Sequence, residues 1–274
     1  MKKRLSVLWI ILAIISVVAV IGYRFYEKSI ASPQPPVISF AGGIIDVSVN
    51  ASDEELLKGV TATDPEDGDV SASLVVEGMS GLSGDNYVKV SYIAFDSKNN
   101  MAKAERTVHL TDYAAPKFGL TSALSIKQSN NIDILKNVTA NDMIDGDISG
   151  KVKYSLEGDN AMISGAGEYE ISLRVTNSLG QTAHLPLTVE VTQSNPNPAN
   201  ITLKDYLIYL DKGADFNASS YVQGYIANGT QVSGAGSLKI SGRVDTGTEG
   251  IYTVEYSYGS GETASHTRLV VVVE

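Results

Sequence analysis

Residues 57–71 read LKGVTATDPEDGDVS and residues 135–149 read LKNVTANDMIDGDIS, so one fifteen-residue pattern stands twice at an offset of 78. A match of that density marks an internal repeat, and a chain built from such repeats buries several small cores rather than one large one. A second signature closes each copy. Alternating segments begin at Val88 (VKVSYIAFD), Tyr169 (YEISLRVTN) and Tyr252 (YTVEYSYGS), at offsets of 81 and 83, which extends the count to three copies.

Within these segments the period is two. Tyr169, Ile171, Leu173 and Val175 fall on one face and Glu170, Ser172, Arg174 and Thr176 on the other, the pattern of a half-buried antiparallel strand. Turn residues follow each one (SKNN, SLGQ, SGE), and then a further alternating strand such as Leu185, Leu187, Val189 and Val191 ends the module. Pro116, Pro196 and Pro198 interrupt the ladder between copies, since proline offers no backbone N–H. The expected organisation is all-β, with modules at 37–112, 113–192 and 193–274. There is no cysteine in the chain, so each core must hold by packing, and thiolate metal sites and cysteine nucleophiles are excluded.

Ahead of the modules, Met1-Lys2-Lys3-Arg4 precedes nineteen uncharged residues, Leu5 to Tyr23. As a helix, that stretch spans about 28 Å, the thickness of a hydrocarbon core. The expectation is a cytoplasmic tip and transmembrane anchor over 1–28, contacting the cell membrane through residues 5–23, and a Pro-rich stalk over 29–36. The alternative is a cleaved secretory signal, for which Ser29-Ile30-Ala31 is the best cleavage candidate. Against it, the apolar run is longer than a usual signal core. Basic residues cluster before the span, which places the N-terminus in the cytoplasm and the modules outside the cell membrane. Beyond residue 28 the chain carries 16 basic and 30 acidic groups, a net −14. Such a surface repels phosphate backbones, so nucleic acid is not an expected partner.

The residues Gly59-Val60-Thr61-Ala62-Thr63-Asp64 and Asp67-Gly68-Asp69, followed by a strand into Ala94-Phe95-Asp96, resemble the bacterial immunoglobulin-like repeats of surface proteins. Hyalin-repeat and cadherin-like modules are similar. The resemblance runs from Pro36 to Glu274, strongly in the first two copies and weakly in the third, where the Asp-Gly-Asp is missing. It implies seven-stranded Greek-key immunoglobulin-like β-sandwiches in tandem, used as a structural spacer, an adhesion stalk or a binding accessory, and no enzyme reaction. In such a sandwich the turn carrying Asp64, Asp67 and Asp69 lies at the same end as Asp96. Asp142, Asp145 and Asp147 likewise lie at the same end as Asn177, and the linker residue Asp112 arrives there too. Several carboxylates on one turn supply oxygens that calcium favours, so these eight aspartates are the candidate metal ligands. The competing reading is that Asp-Gly turns cap themselves with their own backbone N–H groups. No glutamate closes the loop at the distance an EF-hand needs.

Other signals for chemistry are weaker. His109, His184 and His266 fall on the outward register of each module's last strand, and no nucleophile motif accompanies them. Gly165-Ala166-Gly167 and Gly234-Ala235-Gly236 lie between strands and open no helix, so they read as turns. Asn50, Asn137, Asn200, Asn217 and Asn228 form glycosylation sequons, which matter only in a eukaryotic secretory route. Tyr206, Tyr209, Tyr221 and Tyr225 are the candidates for a sugar-binding face. They carry the alternative function, in which module 3 recognises a surface polysaccharide or protein.

Overall fold

The computed structural model describes residues 2–30, 34–128, 132–157, 162–163, 165–193, 200–227, 229–260 and 264–274. Outside the N-terminus the described fold is β-structure, as the alternation predicts, in three sandwiches each built from a three-stranded and a four-stranded sheet. The chain divides into two compact units, Met1–Thr111 and Asp112–Glu274.

The first unit opens with helix α1 (Lys2–Ile30). Among the described residues no helix is long and apolar enough to cross a membrane. The structure therefore lends no support to the expected transmembrane helix. Its described side chains run from residue 12 to 26 and are all exposed. Side chains 5–11 of the expected span, and part of the expected stalk, lie outside the described residues.

Module 1 contains β1 (Val37–Phe40), β2 (Ile45–Val47), β3 (Val60–Asp64), β4 (Gly68–Asp69), β5 (Val75–Ser83), β6 (Tyr87–Phe95) and β7 (Met101–Leu110). The sheets run β1-β3-β4 and β2-β7-β6-β5. Helix α2 (Asp53–Leu56) starts on a capping box, with Ser52 accepting from the Glu55 N–H and Glu55 accepting from that of Ser52. Its Leu56 carbonyl accepts the hydroxyl of the fully buried Tyr92 at 2.9 Å. Arg106, also buried, donates to the Gly43 and Lys58 carbonyls and lies over the Phe40 ring, so a charged residue serves here as a core cap.

The second unit holds modules 2 and 3. Module 2 comprises β8 (Lys117–Leu120), β9 (Ser125–Lys127), β10 (Val138–Asp142), β11 (Gly146–Asp147), β12 (Lys153–Leu156), β13 (Gly167–Thr176) and β14 (Thr182–Thr192). Its sheet orders, β11-β10-β8 and β12-β13-β14-β9, repeat those of module 1. Module 3 comprises β15 (Ile201–Leu203), β16 (Leu207–Leu210), β17 (Val222–Ala227), β18 (Thr230–Ser233), β19 (Lys239–Ser241), β20 (Gly250–Tyr258) and β21 (Ser265–Val273). Here the four-residue strand β18 replaces the two-residue Gly-Asp strand of the other copies, which is how the divergent sequence is accommodated. In all three modules a strand near the start pairs in parallel with the last strand.

Modules 2 and 3 form one unit because their cores meet. Leu207 on β16 packs into the core of module 2, flanked by Tyr209, Val270 and Val272. The Tyr209 hydroxyl accepts the Phe118 N–H at 3.0 Å, and Lys117 lies over the Tyr209 ring while pairing with Glu274. Replacing Leu207 by alanine opens a cavity at this seam, and we expect it to lower the stability of the second unit by about 2–4 kcal/mol. Urea unfolding resolved by unit checks this. A change below about 0.5 kcal/mol would place Leu207 outside the load of the seam.

Candidate functional site

The acidic turns are built from the backbone outward. In module 1, Asp64 ends β3 and its Oδ1 accepts the N–H groups of Glu66 (2.8 Å) and Asp67 (2.9 Å), an Asx turn. Gly68 follows at φ +75°, a left-handed conformation that glycine takes without a steric penalty, which explains the Asp-Gly-Asp sequence. Asp67 reaches across to the turn after β6 and accepts from the Ser97 N–H (2.7 Å) and hydroxyl (3.0 Å). Asp69 accepts from the Ser71 N–H at 2.9 Å. Asp96 Oδ1 accepts from the N–H groups of Lys98 (2.8 Å) and Asn100 (2.7 Å), and Lys98 pairs with Glu66.

Module 2 repeats the aspartate bonds of these turns, without a counterpart of the Lys98–Glu66 pair. Asp142 Oδ1 accepts from Ile144 and Asp145, Asp145 from the Ser178 N–H (2.8 Å) and hydroxyl, and Asp147 from Ser149. Asn177 occupies the position of Asp96, and its Oδ1 accepts from Leu179 and Gln181. Its amide Nδ2 donates to Asp142 Oδ2 (3.0 Å) and to the Tyr113 hydroxyl (2.8 Å). Tyr113 in turn donates to Asp142 Oδ2 at 3.3 Å. Burial, and then the adjacent Asp142 carboxylate, push the Tyr113 hydroxyl up to about 12. Lys151, followed by Ser178, holds the Asp145 carboxyl below its ordinary value.

The structure thus brings each acidic turn against the following turn, as expected, and shows what the eight aspartates touch. Seven of them accept N–H or O–H donors. The eighth, Asp112, lies exposed on the linker with an interaction of its own, and its neighbour Tyr113 reaches Asp142. Among the described residues no group of three or more His, Asp or Glu side chains is placed to hold a metal ion. The self-capping reading therefore describes these bonds, and sequence reasoning missed their donors: Ser97, Ser178 and Tyr113 are ordinary residues whose role appears only once the two turns face each other.

The four candidate sugar-binding tyrosines are buried or half-buried. Tyr225 is 3% exposed, Tyr209 is bonded to Phe118 within the seam, Tyr221 stacks on Phe216 at 5.7 Å, and Tyr206 packs on the module 3 core. Tyr225 is a core residue, and Tyr206, Tyr209 and Tyr221 are half-buried, each with one side packed against a neighbour. Gly236 sits where an added Cβ would lie 2.5 Å from the Tyr225 hydroxyl, which accounts for that glycine by close approach. Of the histidines, His109 pairs with Asp46 and His184 is exposed. His266 Nε2 stands 2.5 Å from Glu190 Oε2, across the seam. Arg268 pairs with Glu168 beside it, and between them lies a cavity of about 330 Å³ lined also by Leu120, Ser125 and Glu255.

No family model matches the chain, and no curated protein does. Among solved structures it is similar to the CBM51-2 and INT domains of Clostridium perfringens ZmpB in complex with GlcNAc. That match has 16% identity and a TM-score of 0.23, covering 56% of this chain and 41% of that one. It is also similar to the protocadherin GammaB4 extracellular domain, at 14% identity and a TM-score of 0.22, covering 88% of this chain and 49% of that one. The chain therefore spans less than half the length of either structure. Likeness of this degree carries nothing over to function.

Asp145→Ala removes the acceptor that ties one turn of module 2 to the next, and we expect a loss of about 1–3 kcal/mol, equal in calcium and in chelator. A carboxyl held below its unfolded value stabilises above about pH 4 and loses that contribution as pH falls through its folded value. The gap between parent and variant should accordingly close in acid. Denaturant curves at several pH values check both statements, and a gap that opens only with calcium would contradict the first.

Proposed function

We propose that the chain is a membrane-anchored display array whose β-sandwich modules act as a structural spacer on the outer side of the cell membrane. The observation that carries the spacer reading is the seam. Leu207, Tyr209, Val270 and Val272 join the cores of modules 2 and 3 into one unit, and aromatic rings that would serve a binding face are spent on packing. A stiff connection between modules is what reach demands and what a flexible scaffold of binding sites does not. The anchor rests on the uncharged run Leu5 to Tyr23 and the basic residues before it. We propose no catalytic role. His109 pairs with Asp46 and packs on the Tyr87 ring, and His266 pairs with Glu190.

Two experiments test the reading. Full-length chain should remain with membranes after alkaline extraction, and protease added outside intact cells should digest the modules. A variant with Val17→Glu and Val18→Glu should leave the membrane fraction. Recovery of a soluble form beginning just beyond residue 30 would instead identify a cleaved signal. For the spacer role, residues 112–274 are exchanged for an unrelated sandwich unit of similar length. Retained function in the exchanged strain, with loss on simple deletion, is the expected result. Loss in both would favour recognition of a surface partner by module 3.

A further inference from the structure

One difference between the two copies of the acidic turn concerns a single carboxylate oxygen. In module 2, Asp142 Oδ2 receives the Asn177 amide and the Tyr113 hydroxyl. In module 1 the matching oxygen, Asp64 Oδ2, is buried and receives no hydrogen bond, although Asp64 is only 7% exposed. The residue in the place of Asn177 is Asp96, equally buried, and its Oδ1 bonds reproduce those of Asn177 Oδ1. Its second oxygen, which accepts from the Asn100 amide, therefore takes the position of the Asn177 Nδ2 that faces Asp142 Oδ2. By that correspondence, the place that holds an N–H donor in module 2 falls to a second carboxylate oxygen in module 1.

An unpaired buried carboxylate oxygen opposed by another is costly unless a positive charge lies between them. Lys98, the basic residue of these turns, is engaged with Glu66, and β1, from Val37 to Phe40, contributes no charge. Glu66, Asp67 and Asp69 add further negative charge nearby.

We propose that module 1, and not module 2, binds a calcium ion between Asp64 Oδ2 and the second oxygen of Asp96, with water completing its shell. Two carboxylate oxygens are few for calcium, so the affinity belongs with the weak sites of extracellular modules, on the order of 0.1–1 mM. The inference sorts the eight candidate aspartates. Asp64 and Asp96 are ligands, and Asp142 is excluded because an amide and a hydroxyl already fill its open side. It holds whether or not the chain acts as a spacer.

The test is a calcium chloride titration of the full-length chain in detergent, followed by carboxyl-carbon NMR of labelled aspartates. Calcium should shift the Asp64 and Asp96 signals with a midpoint on the order of 1 mM or below, leaving Asp142 in place. Asp96→Asn, which installs the module 2 arrangement, should abolish the response while the other module 1 signals keep native positions. Asp64→Asn should do the same and serves if the first variant fails to fold. No shift up to about 10 mM, tenfold beyond the weakest expected site, would overturn the proposal. So would an undiminished response in both variants, or an Asp64 carboxyl that is protonated at neutral pH, since a shared proton would then occupy the gap.

Discussion

Each sandwich is closed by a strand near its beginning lying parallel to its last strand, with Ile45 on Val108, Glu190 on Ser125 and Leu207 on Val270. Without a cysteine anywhere, these ladders and the cores behind them hold the two ends of each module together. A parallel pair cannot be made by a tight turn, and here the rest of the module is the crossover. Such long-range closure costs chain entropy before any contact repays it. The module therefore forms as a whole, with Val108, Val189 and Val271 buried completely beside the closing strands.

Much of this was legible in the residues. The period-two pattern of Tyr169 to Val175 located β13, and the matching segments located β6 and β20. The Asp-Gly-Asp repeat located the turns, because glycine there serves a left-handed backbone and aspartate serves exposed N–H groups. Its meeting with the next turn was implied by the resemblance to an immunoglobulin-like sandwich. What the pattern could not separate was a carboxylate that caps from one that coordinates. That distinction rests on single donors such as Ser97, Ser178 and Tyr113, whose positions depend on tertiary packing.

Module 3 marks where sequence reasoning ran out. Its tyrosines carried the same alternation as a core strand, yet the clustering of Tyr206, Tyr209, Tyr221 and Tyr225 also suits an exposed face. The choice is made by neighbours far away in the chain. Tyr209 is enclosed because Phe118 bonds to it, and His266 and Arg268 occupy outward register positions that another module then covers. An outward-facing charge on an end strand looks the same in sequence whether it meets water or Glu190.

A stiff spacer requires modules 2 and 3 to behave as one rigid body joined through Leu207 and its neighbours. The absence of native cysteine makes a pair of spin labels unambiguous. With Lys136→Cys on module 2 and Lys239→Cys on module 3, both exposed positions, the interspin distance distribution in the full-length chain is the direct measurement. A single narrow distribution that broadens in the Leu207→Ala background is the predicted result. A broad or multimodal distribution in the parent would mean that the modules move independently, and the stiff-spacer reading would fall with it.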